Sequence, residues 1–352
     1  MSSGASNEQE TAARAPPALP WSVRLQLFGL VAAAGATMRR DGTVNRFVFN
    51  LLDRPVRATA RPDKRFGVRS ADVDVDASRG LWARVFSPAP QPPEPASASL
   101  PVLVYFHGGS FALLSAASPA YDAMCRRLCR ELGAVVVSVN YRLAPEHRCP
   151  AAYDDGVDVL RHLASNGLPV PVDLSRCFLA GDSAGGNIAH HVARLWITSA
   201  SSAAAAAPNP IRLAGVILVQ PYFGGEKRTE AEKCMDGKVP VVTKRGSDWA
   251  WRAFLPEGAD REYPAAHVTD ENAGLAEGFP PAMVVVGGLD PLQEWQRRYA
   301  DVLRRKGKSV RVVEFPEAIH AFFLFPVLLD SGRLVAEMKA SMDETSASEV
   351  AA

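Results

Sequence analysis

Apolar and polar positions change their rhythm twice along the 352-residue chain. Residues 1–20 are small, polar and rich in proline, a composition that predicts disorder. Trp21 to Met38 reads as a helix; its apolar stretch Leu25 to Ala36 is too short to span a bilayer, which needs about 20 apolar residues. It follows Glu8, Glu10 and three prolines, so an amphipathic helix packed on the body is expected rather than a secretion signal. Arg39 to Asp53 opens with a turn at Asp41-Gly42 and continues into a short apolar segment. Val73 to Val75 and Leu81 to Phe86 alternate and predict two antiparallel strands. Ser87 to Leu100 and Ser199 to Pro210 read as surface loops.

From Val102 onward, continuous apolar runs replace alternation. Val102 to Phe106, Ala134 to Val139, Arg176 to Ala180, Leu213 to Val219, Ala282 to Val286 and Ser309 to Phe315 have the character of strands buried on both faces. Helical spacing between them covers Tyr121 to Leu132, Tyr153 to Ala164, Gly185 to Ile197 and Leu292 to Arg305. Such alternation predicts an α/β fold with a mostly parallel central sheet and helices on both faces. Ligands of such sheets bind beyond the C-terminal strand ends. The expected organisation is a single domain over 21–352, with 21–55 as an N-terminal cap.

Composition removes some function classes. A net charge of +1 offers no field for nucleic acid or an anionic membrane, so neither is an expected partner. The five cysteines, an odd number without framework spacing, fit a reducing compartment, and a cytoplasmic location is expected, with the nucleus open. Cys125 and Cys129 sit among Arg126, Arg127 and Arg130, poor company for a cation; no metal is expected.

The sharpest chemical signal is Gly181-Asp182-Ser183-Ala184-Gly185, a G-x-S-x-G turn between a buried strand and a helix. Small residues allow a turn tight enough to project the Ser183 hydroxyl, and the amides opening the helix favour negative charge. His107-Gly108-Gly109 directly follows the strand VLVYF. Acyl transfer develops a negative oxygen, which backbone amides stabilise; Gly108, Gly109 and Ala184 are the expected donors. His107 is expected to shape the loop, since in this chain order the base lies C-terminal to the serine. A nucleophilic serine requires a base, and the base an orienting carboxylate. Asp290 follows a late strand and His320 follows the next, which makes them the expected acid and base. Asp290 also suits an N-cap of the following helix, Glu294 is the reserve acid, and His320 beside Phe322 and Phe323 also suits core packing. Asp182, Glu146 and His147 are expected to support the site. Trp21, Phe28, Phe111, Phe223, Trp251 and Phe322 are candidates for an apolar pocket.

These motifs resemble the hormone-sensitive-lipase-like branch of the α/β-hydrolases, and more closely its plant carboxylesterases. The resemblance runs through DGTVNR (41–46), YFHGGSF (105–111), VNYRLAPEHRCPAAYDD (139–155), GDSAGGNIAHHVA (181–193), QPYFGG (220–225), WRAFLPEGADREYPAA (251–266) and IHAFFLFP (319–326). It implies hydrolysis of small carboxylic esters without a cofactor and a cap formed by the N-terminal helix. The plant gibberellin receptors look like members of the same group; there an aliphatic residue replaces the base histidine, whereas His320 is present here. The alternative is therefore a receptor-like protein that binds a small molecule and recruits a protein partner. One departure is Ala321, where the wider family often has glycine.

Overall fold

In the computed structural model of the protein, residues 19–89, 99–200 and 210–350 are described. The expected disorder of 1–20 falls almost wholly outside them, as do most of the two expected loops. Eight strands form one sheet: β1 (Val68–Asp76), β2 (Leu81–Pro88), β3 (Leu100–Phe106), β4 (Val135–Asn140), β5 (Val172–Asp182), β6 (Leu213–Val219), β7 (Ala282–Leu289) and β8 (Val310–Ile319). Their order is β1-β2-β4-β3-β5-β6-β7-β8. The β1/β2 and β2/β4 pairs are antiparallel and the other pairings parallel, with Val73 opposite Ala83 in the expected hairpin.

Period-two patterning decides which face each side chain enters. Along β3, Val102, Val104 and Phe106 join one core layer, while Leu103 and Tyr105 join the other. The helices are α1 (Trp21–Thr37), α2 (Arg46–Leu52), α3 (Pro119–Leu132), α4 (Ala151–Asn166), α5 (Ala184–Ala200), α6 (Glu230–Met235), α7 (Lys244–Phe254), α8 (Gln293–Arg305) and α9 (Leu329–Val350). Residues of α4, α5 and α8 fill the first layer, and those of α3 and α9 the second. Four helices go beyond the sequence expectation: α2, which forms within the short apolar segment after Asp41-Gly42, and α6, α7 and α9. In α9 the buried Leu334, Met338 and Met342 repeat every fourth residue, a stripe obscured by neighbouring Ser, Thr and Gly.

The N-terminal helix departs from an amphipathic one. It buries Val23, Leu27 and Thr37 but leaves Trp21 78% and Phe28 73% exposed, so its outer face is apolar as well. Among the described residues, no helix is long and apolar enough to cross a membrane.

Candidate active site

Four neighbouring strands each deliver one polar side chain at their C-terminal ends. Ser183 follows β5, Gln220 follows β6, Asp290 follows β7 and His320 follows β8. The elbow at Ser183 is enforced sterically. A Cβ on Gly185 would lie 1.9 Å from the Phe106 carbonyl oxygen, and one on Gly181 2.2 Å from that of Gly185. Ser183 itself is left-handed, with φ 53°, a strained conformation for a serine that the packed strand and helix hold in place.

The structure brings Ser183, His320 and Asp290 together. His320 Nε2 lies 3.0 Å from Ser183 Oγ, and Nδ1 lies 2.8 Å from Asp290 Oδ2. An ionised carboxylate only accepts, so Nδ1 carries the proton and Nε2 is free to accept from the serine. All three side chains are buried. Burial opposes the imidazolium, but the charge and hydrogen bond of Asp290, helped by the charge of Asp182, outweigh it and hold His320 above its ordinary value. Asp290 also accepts from the Leu292 amide at 2.9 Å and from Gln296 Nε2 at 2.8 Å. It thus orients the base and steadies the chain entering α8 at once. The reserve acid is elsewhere: Glu294 accepts from the Ala231 amide and pairs with Arg298.

The oxyanion loop requires one correction. The Gly108 amide does not face the pocket; it donates to Tyr121 Oη at 2.8 Å and Asp182 Oδ1 at 3.1 Å. A Cβ at Gly108 would sit 2.3 Å from Asp182 Oδ2, so the glycine is demanded by this close approach to the carboxylate. Gly109 and Ser110 line the cavity beside Ser183. The amides of Gly109, Ser110 and Ala184 donate to no group among the described residues. The amides left unengaged beside Ser183 are therefore those of Gly109, Ser110 and Ala184, whereas that of Gly108 is taken. The HGG spacing alone identifies the loop but not which of its amides is already engaged.

Asp182 is the anchor beneath this loop. Tyr105 Oη and Tyr121 Oη each donate to it at 2.8 Å. Complete burial pushes its carboxyl up to about 6, against the opposing effect of those hydroxyls, the His320 charge and the Gly108 amide. His107 shapes the loop as expected from its position: its ring stacks 4.3 Å from that of Tyr141, and Nδ1 lies 2.7 Å from the Gly108 carbonyl oxygen. Burial brings it down to about 4, against the raising effect of that carbonyl contact, so it is neutral at ordinary pH. Glu146 and His147 are exposed and touch neither Ser183 nor His320; Glu146 pairs instead with Arg46.

Gln220 and Gln296 are the functional residues that sequence reading misses. Gln220 Nε2 donates to the Ile319 carbonyl at 3.2 Å, and its Oε1 accepts from the Ala321 amide at 2.9 Å, clasping the chain on both sides of His320. QPYFGG stands out in the sequence, but nothing local tells that its first side chain reaches across the sheet edge.

A cavity of about 870 Å³ opens above Ser183 and His320. Its apolar wall comes from Leu30, Val31, Met38 and Phe49 of the cap segment, facing Leu113 and Leu114. None of the six aromatic candidates lines it. Trp21 and Phe28 point to solvent, while Phe111, Phe223, Trp251 and Phe322 are core. Aromatic side chains in a chain this long mostly serve the core, and helix phase decides the rest. Among the described residues, no cluster of His, Cys, Asp and Glu is placed to hold a metal ion.

A tight strand-to-helix turn carrying Ser183, with Ser183, His320 and Asp290 hydrogen-bonded in series at the C-terminal edge of this sheet, is the arrangement of the α/β-hydrolase architecture. The model of the α/β-hydrolase fold family matches residues 103–324, more than half of the chain, and the protein belongs to that family. Among relatives, it is 47% identical to the gibberellin receptor GID1C of Arabidopsis thaliana, over 82% of this chain and 84% of the receptor. It is 36% identical to carboxylesterase 20 of the same plant, over 78% of this chain and 84% of that protein. A hyperthermophilic esterase from the archaeon Pyrobaculum calidifontis superposes with a TM-score of 0.71 at 28% identity, covering 93% of this chain and 99% of that one.

Proposed function

We propose that the protein is a serine carboxylic-ester hydrolase acting on small apolar esters. The observation that carries this reading is the unbroken Ser183–His320–Asp290 relay at the floor of the 870 Å³ cavity. An ester enters between the cap and the sheet edge. His320 Nε2 takes the Ser183 proton as Oγ attacks the carbonyl carbon. Negative charge gathers on the former carbonyl oxygen, toward the amides of Gly109, Ser110 and Ala184. The tetrahedral intermediate collapses, and His320 returns the proton to the departing alcohol. Water then attacks the acyl-serine, with His320 again as base, and the acid leaves. Asp290 stays ionised throughout and fixes the tautomer. None of these steps calls for a cofactor.

A second reading has its own observation. The helix that lines the cavity with Leu30 and Val31 presents Trp21, Leu25 and Phe28 outward, and α2 adds Phe47 at 74% exposure. Such a surface suits a protein that binds a small molecule under its cap and is then joined by a partner, as the 47% identity to a gibberellin receptor also suggests. The engaged His320 favours hydrolysis, because pure binding makes no use of a base aligned on a serine. Purified protein is expected to hydrolyse a short p-nitrophenyl ester, and Ser183→Ala to lose roughly 10⁶-fold in kcat while remaining folded. Absence of turnover in both, with ligand binding retained, would move the weight to the receptor reading.

A further inference from the structure

Arg46, the last residue of the DGTVNR stretch and the first of α2, has no part in the relay, yet it is the most fully engaged cation near the site. Its guanidinium uses four of five N–H groups: Nε and Nη2 grip the two Glu146 carboxylate oxygens at 3.0 and 2.6 Å, Nη1 reaches the Ala112 carbonyl at 2.5 Å, and Nη2 the Ala144 carbonyl at 2.7 Å. Ala112 belongs to the oxyanion loop: its amide and that of Leu113 both close on the Gly109 carbonyl, at 3.1 and 2.9 Å. The Ala144 amide in turn donates to the Phe111 carbonyl at 2.9 Å. One side chain of the cap therefore pins the oxyanion loop directly and, through Ala144, a second time. Among the described residues, Arg46–Glu146 is also the only ion pair joining residues 19–53 to the rest of the chain.

The loop needs such a brace. Ser110, Phe111 and Leu114 all have left-handed backbones, with φ of 55°, 62° and 71°. Non-glycine residues hold this conformation only when surrounding contacts impose it. Phe111 is fixed from one side by its ring stacked 3.7 Å from Phe254. The carbonyl side of the turn is fixed by Arg46.

We propose that Arg46 is a positioning residue that couples cap docking to the oxyanion hole: the amides of Gly109 and Ser110 reach their working geometry only when α2 is seated and the guanidinium holds the Ala112 and Ala144 carbonyls. The inference rests on the hydrolase reading. Chemistry then depends on the cap even for an ester too small to touch it. Glu146 serves to aim the guanidinium, so its loss matters less than that of Arg46.

The test compares wild type, Arg46→Ala, Arg46→Lys and Glu146→Gln on p-nitrophenyl acetate, with amide hydrogen exchange of residues 109–114 measured in parallel. For Arg46→Ala, kcat should fall roughly 10- to 100-fold with KM little changed, since losing one oxyanion donor outright costs about 10²–10³. Exchange in the loop should rise. Lysine reaches only one carbonyl at a time and should restore part of kcat. If Arg46→Ala is too unstable to purify, Arg46→Lys carries the same comparison. A kcat within twofold of wild type, or a raised KM with unchanged loop exchange, would reduce Arg46 to a cap tether and overturn the proposal. Lack of turnover by wild type would sink the hydrolase reading instead, and loop exchange would still decide whether Arg46 braces the loop.

Discussion

Replacing Asp290 with asparagine preserves shape and removes only charge and acceptor capacity. Three donors converge on this carboxylate: His320 Nδ1 at 2.8 Å, Gln296 Nε2 at 2.8 Å and the Leu292 amide at 2.9 Å. His320 Nδ1 and Gln296 Nε2 share Oδ2, while the Leu292 amide takes Oδ1. An asparagine NH₂ at the Oδ1 position meets the Leu292 amide, a donor that cannot turn; at the Oδ2 position it faces two groups that can adapt. Gln296 turns its amide over to present the otherwise unpartnered Oε1, and His320 bares Nδ1, which places the proton on Nε2 and leaves no acceptor for Ser183. This second arrangement should dominate. A triad locked in the wrong tautomer loses about 10⁴ in kcat, or about 5.5 kcal/mol of transition-state stabilisation. The acid limb supplies a second readout. Burial lowers the basicity of His320, but Asp290 more than restores it, so in wild type kcat/KM should fall as pH drops through a value above 6.5. With Asp290 neutralised, the limb of the residual activity should move down. Steady-state hydrolysis of p-nitrophenyl acetate from pH 5 to 9 measures both. A variant within tenfold of wild type, with an unmoved acid limb, would refute the assignment of Asp290 as orienting acid.

Two further outcomes follow from the surroundings of the relay. Asp182 rises from 3.8 to about 6 on burial. A raised acid binds its proton more tightly in the folded state, so the stability it contributes is complete below pH 3.8 and lost as pH climbs through 6, about 3 kcal/mol in all. Urea unfolding of wild type and Asp182→Asn should therefore give a stability difference that shifts against wild type by roughly 2 kcal/mol between pH 4 and 7; a difference independent of pH would contradict this. Ala321 has φ 66°, where a Cβ is strained. Ala321→Gly should raise unfolding free energy by about 0.5–1 kcal/mol, and a loss of stability would show that the Ala321 methyl packs more usefully than its backbone suffers.

The left-handed backbone of Ala321 also gives a physical reason for the glycine common at that position in the wider family. Here the conformation is retained without glycine, helped by the Gln220 oxygen accepting the Ala321 amide.

Sequence alone was enough to give the layered α/β architecture and the eight strands, and to single out Ser183, Asp290 and His320, which the structure brings into contact. The physical reason is that these features are local. Buried strands must be continuous apolar runs, a nucleophile elbow needs small residues within two positions of the serine, and chain order places acid and base after successive late strands. What only the tertiary structure decided depends on the phase and reach of side chains across elements distant in sequence. Gly108 looks like a donor until Asp182 and Tyr121 are seen to claim its amide. Trp21 and Phe28 look like pocket residues until α1 is oriented so that Leu30 and Val31 face the cavity instead. Gln220 clasps His320 across 100 residues, and Arg46 reaches the oxyanion loop from the cap. No window of sequence encodes such contacts, because they follow from how the whole sheet edge and cap pack around one small volume.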